Sequence, residues 1–283
     1  MGLLLGALSR RCAAAAAAGR HPLPRCAGTI EGLPVAELGA YCFADRPVRP
    51  GAGAPGSTHE ITGNFVEEVT LPRPPCGWLD SAALQLPQLR RVTLGARGSR
   101  GLAADLFTNC RQLQTFRLRA AADAPTGLKK LLGAVSADIT VELDGAQLFY
   151  PEYSEFLDEN TPAHIFNHSI EGEGYRMRQC FTPGGAVDYA AFDASFAQAC
   201  VGESEDKLCR LALGRLVQPF GLGDDARADY ELYLTAHPEA AFRRAIDDRD
   251  EAALRLLVGL SLRQQTPRSI APASGGAPGR RCC

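Results

Sequence analysis

The residues of this chain best equipped for chemistry lie at His164-Ile165-Phe166-Asn167-His168. Two imidazoles four positions apart share one face if the segment is helical, the arrangement used for zinc, and Glu171 and Glu173 follow closely. The residue after His164 is Ile165 and not Glu, so the metallopeptidase signature is missing, and Gly172 and Gly174 point to a loop just beyond. Cys180, beside Phe181, would need His164 or His168 within hydrogen-bond reach, and a third group to orient that base, before it could act as a nucleophile. The spacing supplies neither, which leaves a Cys/His hydrolase as a remote alternative. Glu171-Gly172-Glu173-Gly174-Tyr175 is glycine-rich but follows no clear strand and carries no Lys, so it does not read as a phosphate loop. Asn167-His168-Ser169 is a glycosylation sequon, meaningful only in a secreted eukaryotic protein. No cofactor, no metal site and no catalytic residue is expected.

Composition narrows the field further. Of 283 residues, 46% are hydrophobic and 22% charged, and 30 basic against 32 acidic side chains leave a net charge of −2. That balance supports an ordinary globular core and no global field drawing the chain to nucleic acid or an anionic membrane. No stretch approaches the roughly 20 apolar residues that span a bilayer. The ten cysteines form no CxxC pair and no finger-like spacing with His. They fit small hydrophobes in a reducing compartment, and a cytoplasmic protein is expected.

The elements that must position these residues repeat. Val69-Thr70-Leu71 returns as Val92-Thr93-Leu94, Phe116-Arg117-Leu118 and Val141-Glu142-Leu143, at steps of 23, 24 and 25 residues. Such a period marks stacked units, each too small to bury its own hydrophobic face. Every unit combines a short β-branched strand, a turn with Pro or Gly, a short helical stretch such as Leu102, Leu106 and Phe107, and a leucine (Leu89, Leu113) before the next strand. Stacked parallel strands satisfy each other's backbone groups while Val69, Val92, Phe116 and Val141 point into one core. The alternate positions Thr70, Thr93, Arg117 and Glu142 then face outward. With Arg91 and Arg119, they are the candidate partner-binding residues.

The segment Leu102-Ala103-Ala104-Asp105-Leu106-Phe107-Thr108-Asn109-Cys110-Arg111-Gln112-Leu113 resembles a leucine-rich repeat of the BspA type, with Phe107, Asn109-Cys110 and Leu113 at the characteristic places. Leu38-Gly39-Ala40-Tyr41-Cys42-Phe43 matches the front of the same unit, and Glu68-Val69-Thr70-Leu71-Pro72 its strand. The match covers roughly 110 residues, is interrupted at Leu79 to Leu94 and by an apparent loop at Gly51 to Ser57, and implies a short curved solenoid.

Beyond Pro151 the pattern changes. The acidic, aromatic residues 152–159 are expected to cap the solenoid's open end. Helices are expected over Asp188 to Cys200, Glu205 to Val217 with Ser204 as N-cap, and Asp224 to Ala236 with Ala228, Leu232 and Tyr233 inward. Two more start at Pro238, with Phe242, Ala245 and Ile246 inward, and at Asp250. Glu239 to Leu262 resembles the helix pair of one ankyrin-type unit.

The expected architecture is therefore α/β: a disordered leader (1–29), a leucine-rich-repeat solenoid with helical or irregular returns (30–150), an all-α helical domain (151–263) and a disordered tail (264–283). The expected role is non-catalytic recognition or scaffolding of another protein by an intracellular adaptor, with no nucleic acid and no membrane. A surface adhesin is the alternative.

Overall fold

The computed structural model describes residues 66–70, 86–95, 105–160 and 164–265, together with two-residue strands at 29–30, 33–34, 37–38, 78–79 and 101–102. The expected leader up to residue 28, the loop at Gly51 to Ser57 and the tail from residue 266 lie outside the described residues. Thr29 itself belongs to a strand: β1 (Thr29–Ile30) pairs antiparallel with β2 (Leu33–Pro34).

The repeat period becomes a sheet. Strands β4 (Glu68–Thr70), β6 (Arg91–Leu94), β8 (Thr115–Ala121) and β9 (Ile139–Asp144) run parallel, in that spatial order. Val69 stands opposite Val92, Val92 opposite Phe116 and Phe116 opposite Val141. All four side chains are buried. β10 (Ala146–Tyr150) then turns back antiparallel through Asp144 and Gly145, with Gly145 at φ 91°. A side chain at that angle would be strained, so glycine suits the turn. A second, three-stranded parallel sheet joins β3 (Glu37–Leu38), β5 (Trp78–Leu79) and β7 (Gly101–Leu102), setting Leu38 beside Leu79 and Leu79 beside Leu102.

The stretch around Leu102, expected to be helical, is instead strand β7 followed by tight turns over 105–109. Asn109 closes them at φ 65°, and Asn tolerates the left-handed region better than most residues because its short polar side chain bonds locally. Cys110 N–H donates to the Phe107 carbonyl and Leu113 N–H to that of Cys110, aiming Phe107 and Leu113 into the core. The true helix among the described returns is α1 (Leu128–Gly133), which buries Leu128, Leu131 and Leu132.

The region expected to be all-α opens with a β-hairpin. Residues 152–159, expected as a cap, lie largely in β11 (Ser154–Asn160), which pairs along its length with β12 (Ile165–Glu171) and with no other strand among the described residues. Helices follow: α2 (Gly174–Met177), α3 (Tyr189–Ala194), α4 (Phe196–Gly202), α5 (Glu205–Val217), α6 (Asp224–Ala236), α7 (Pro238–Asp247) and α8 (Glu251–Gln265). The single helix expected over Asp188 to Cys200 breaks at Ser195, whose hydroxyl and N–H both turn back to the Phe192 carbonyl. Phe192 and Phe196 are buried but Cys200 is exposed.

α5 has the expected bounds and buried face, although the Ser204 side chain makes no capping bond. Asp250 does cap α8, accepting from the N–H groups of Ala252 and Ala253. On α6 the buried residues are Tyr230 and Leu234 while Leu232 is exposed, and on α7 Ile246 is exposed with Ala241 and Ala245 inside. Tyr233 and Phe242 pack half-buried against the core as expected, so the expected faces fail at Ala228, Leu232 and Ile246. Among the described residues, no helix is long and apolar enough to cross a membrane.

Candidate functional site

Because side chains alternate along a strand, the residues between the buried rungs form a row on the other side of the sheet. Thr70 stands opposite Thr93, Thr93 opposite Arg117 and Arg117 opposite Glu142, continuing to Gln147 on β10. A neighbouring row runs through Glu68, Arg91, Thr115, Thr140 and Phe149. Arg119, two residues after Arg117, adds an exposed cation. All six expected recognition residues are thus brought to one face of one sheet.

The face is an ion-pair lattice. Arg91 reaches Glu68 at 3.5 Å and Glu142 at 3.8 Å, and Arg117 reaches Glu142 at 3.8 Å. Pairs this exposed contribute little to stability individually. They do hold long side chains extended over the strands, as an ordered polar surface. Thr93, at 8% exposure, offers almost nothing to a partner.

Among the described residues no strand lies beyond β4, while the β10 end is covered. α5 lies over β10 there, with the Arg210 guanidinium 4.6 Å from the centre of the Phe149 ring and Gly214 against Gln147. An added Cβ at Gly214 would sit 3.4 Å from Gln147, which sets how closely the helix approaches. The helix is anchored by Lys207, whose ammonium pairs with Asp138 at 3.1 Å, Glu152 at 3.0 Å and Glu203 at 3.7 Å. Burial works against the charge on Lys207, but these carboxylates win and raise its pKa.

The expected chemical candidates lie in and after the hairpin, apart from this face. His164 and His168 do not share a helical face. His164 precedes β12 in a left-handed turn at φ 50°, and His168 stands within that strand. Each imidazole meets a β11 carboxylate: His164 Nδ1 with Glu159 at 2.6 Å, and His168 Nε2 with Glu155 at 3.1 Å. Cys180 donates weakly to the Arg176 carbonyl, and burial pushes its thiol pKa up, the wrong direction for a nucleophile. Burial likewise raises Cys110 to about 11 and Cys209 to about 12. The described residues contain no group of three or more His, Cys, Asp or Glu placed to hold a metal ion.

Two polar constructions had no counterpart in the sequence reading. Arg178 is buried, and its guanidinium donates to the carbonyls of Val135, Ala137, Pro151 and Gly174 while lying 5.0 Å from the centre of the Tyr153 ring. It ties the end of the repeat region to the root of the hairpin. Arg215, fully buried, pairs through two nitrogens with Asp193, donates to the Phe220 carbonyl and lies against Tyr189. Tyr230 completes the set by donating its hydroxyl to Asp193 at 2.8 Å. No spacing signal marks these residues, since most of their partners come from distant segments.

Compared with protein-family profiles, curated proteins and solved structures, the chain matches none.

Proposed function

We propose that this chain is a non-catalytic recognition module of the leucine-rich-repeat kind, which holds another protein against the outward row Thr70, Arg91, Arg117, Arg119 and Glu142. The observation that carries the reading is the shared register of Thr70, Thr93, Arg117 and Glu142 across β4, β6, β8 and β9, which shifts only beyond Arg117, between it and Ala121. Strands stacked at a constant step present side chains at a fixed spacing of about 4.8 Å, the geometry by which repeat proteins build extended recognition surfaces. The ion-paired Arg and Glu side chains suit a polar partner surface of mixed charge, and the raised thiols suit binding and not covalent chemistry. In this reading the protein works inside the cell as an adaptor, its cysteines kept reduced.

A photo-crosslinking residue at Arg117, compared with one at Lys129 on α1, tests the assignment. The expected result is a discrete protein adduct from position 117, absent from 129 and lost on Arg119→Glu. Equal labelling from both positions, or none, would remove the outward row as the binding surface.

A further inference from the structure

A second recognition site is carried by the hairpin. β11 and β12 pair over seven residues each, from Ser154 opposite Glu171 to Asn160 opposite Ile165, and both outer edges lack a strand among the described residues. A two-stranded ribbon is marginal in water without something to cover it. This one leaves four large apolar side chains in solvent: Phe156 at 45% exposure, Leu157 at 68%, Phe166 at 60% and Ile170 at 38%. Leu157, Phe166 and Ile170 share one face, because Leu157 stands opposite His168 between the pairs Glu155–Ile170 and Glu159–Phe166. Phe156 lies on the other face.

The charge is one-sided. Between Pro151 and Tyr175 there are acids but no Lys or Arg. Glu155, Asp158 and Glu159 all belong to β11, so that edge is acidic on both faces, while β12 contributes only Glu171 at its end. The two histidines meet Glu159 and Glu155, and among the described residues no Lys or Arg pairs with Glu155, Asp158 or Glu159. Such an edge repels a second copy of itself and any anionic membrane, and it offers backbone groups to an extended chain of opposite charge.

We infer that β11 is a docking edge for a basic, extended segment of another protein, which adds as a third strand. Its Lys or Arg side chains stand beside Glu155 and Glu159 on one face, and its alternating apolar side chains cover Phe156 on the other.

The test uses the full chain and fluorescent seven-residue peptides at low ionic strength. One alternates lysine and valine, one alternates glutamate and valine, and one is the lysine peptide N-methylated at every residue so that neither of its edges can donate to a strand ladder. Fluorescence anisotropy is expected to show the lysine peptide binding at least about tenfold tighter than either control. The double change Glu155→Lys/Glu159→Lys is expected to remove that preference with the circular dichroism spectrum unchanged. Equal binding of the N-methylated peptide, or indifference to the double change, overturns the proposal. So does a dimer of the chain alone that dissociates on the same double change, for the edge would then belong to a second copy.

Discussion

Arg215 on α5 and Asp193 on α3 meet in a two-point ion pair, at 2.7 and 2.8 Å, with both side chains almost wholly withdrawn from water. Removing both charges from such a site is often tolerated, whereas removing one strands the other in a medium that cannot solvate it. Asp193→Ala is therefore expected to cost about 3–5 kcal/mol, read as a lower urea midpoint. Tyr230→Phe removes one donor to the same carboxylate and should cost about 1–2 kcal/mol. If Asp193→Ala costs no more than Tyr230→Phe, the pair is not what joins these helices.

Glycines 174 and 259 are expected to respond with opposite signs. A Cβ at Gly174 would lie 1.9 Å from the Pro151 carbonyl oxygen and 2.6 Å from an Arg178 nitrogen, so Gly174→Ala must displace backbone and the buried guanidinium together. The expected loss is about 1–3 kcal/mol or more. At Gly259, inside α8, nothing lies within 4 Å of the added carbon, and Gly259→Ala should stabilise by about 0.5–1 kcal/mol through helix propensity. Thermal melts of the two variants check the contrast.

Alkaline pH is expected to weaken the fold through the buried thiols. Cys209, ordinarily near 9, is raised to about 12 in the folded chain, first by burial and then by Glu205 and Asp206. Between those values the unfolded chain has lost a proton that the folded chain keeps. The contribution is thus fully present below pH 9 and falls as pH climbs toward 12. By about pH 10 the Cys209 contribution should fall by about 1 kcal/mol. Urea midpoints at pH 8 and pH 10 should converge in Cys209→Ala relative to the unaltered chain.

Lys207 should make stability depend on salt. Its ammonium is largely buried and faces Asp138, Glu152 and Glu203 together. Lys207→Met is expected to cost about 1–2 kcal/mol at low ionic strength, with the gap narrowing in concentrated salt as the exposed Glu152 and Asp138 are screened. A gap independent of salt would assign the loss to packing.

Much of the architecture can be read along the chain. The steps from Val69 to Val92, Phe116 and Val141 place four rungs of one sheet, and the alternation around them names the outward row. Asp250 and Pro238 mark helix starts where the structure has them. Each of these signals is local: a strand period, a cap or a missing N–H acts through neighbours a few residues away.

What the sequence alone determined, then, is the repeat, the rungs, the extents of α5 and α6 and the start of α8, which runs past the expected stop at Gly259 to Gln265. The tertiary structure decided that β10 returns antiparallel, that β11 and β12 pair with each other and with no other described strand, and that α5 covers one end of the outward row. It also decided that Asp193 finds Arg215, and that Arg178 closes four carbonyls from three segments. These outcomes turn on the distance and orientation between segments tens of residues apart. Alternating polar and apolar positions in β11 look the same whether the strand caps a core or stands in solvent. Only the packed chain settles which of its faces another element reaches.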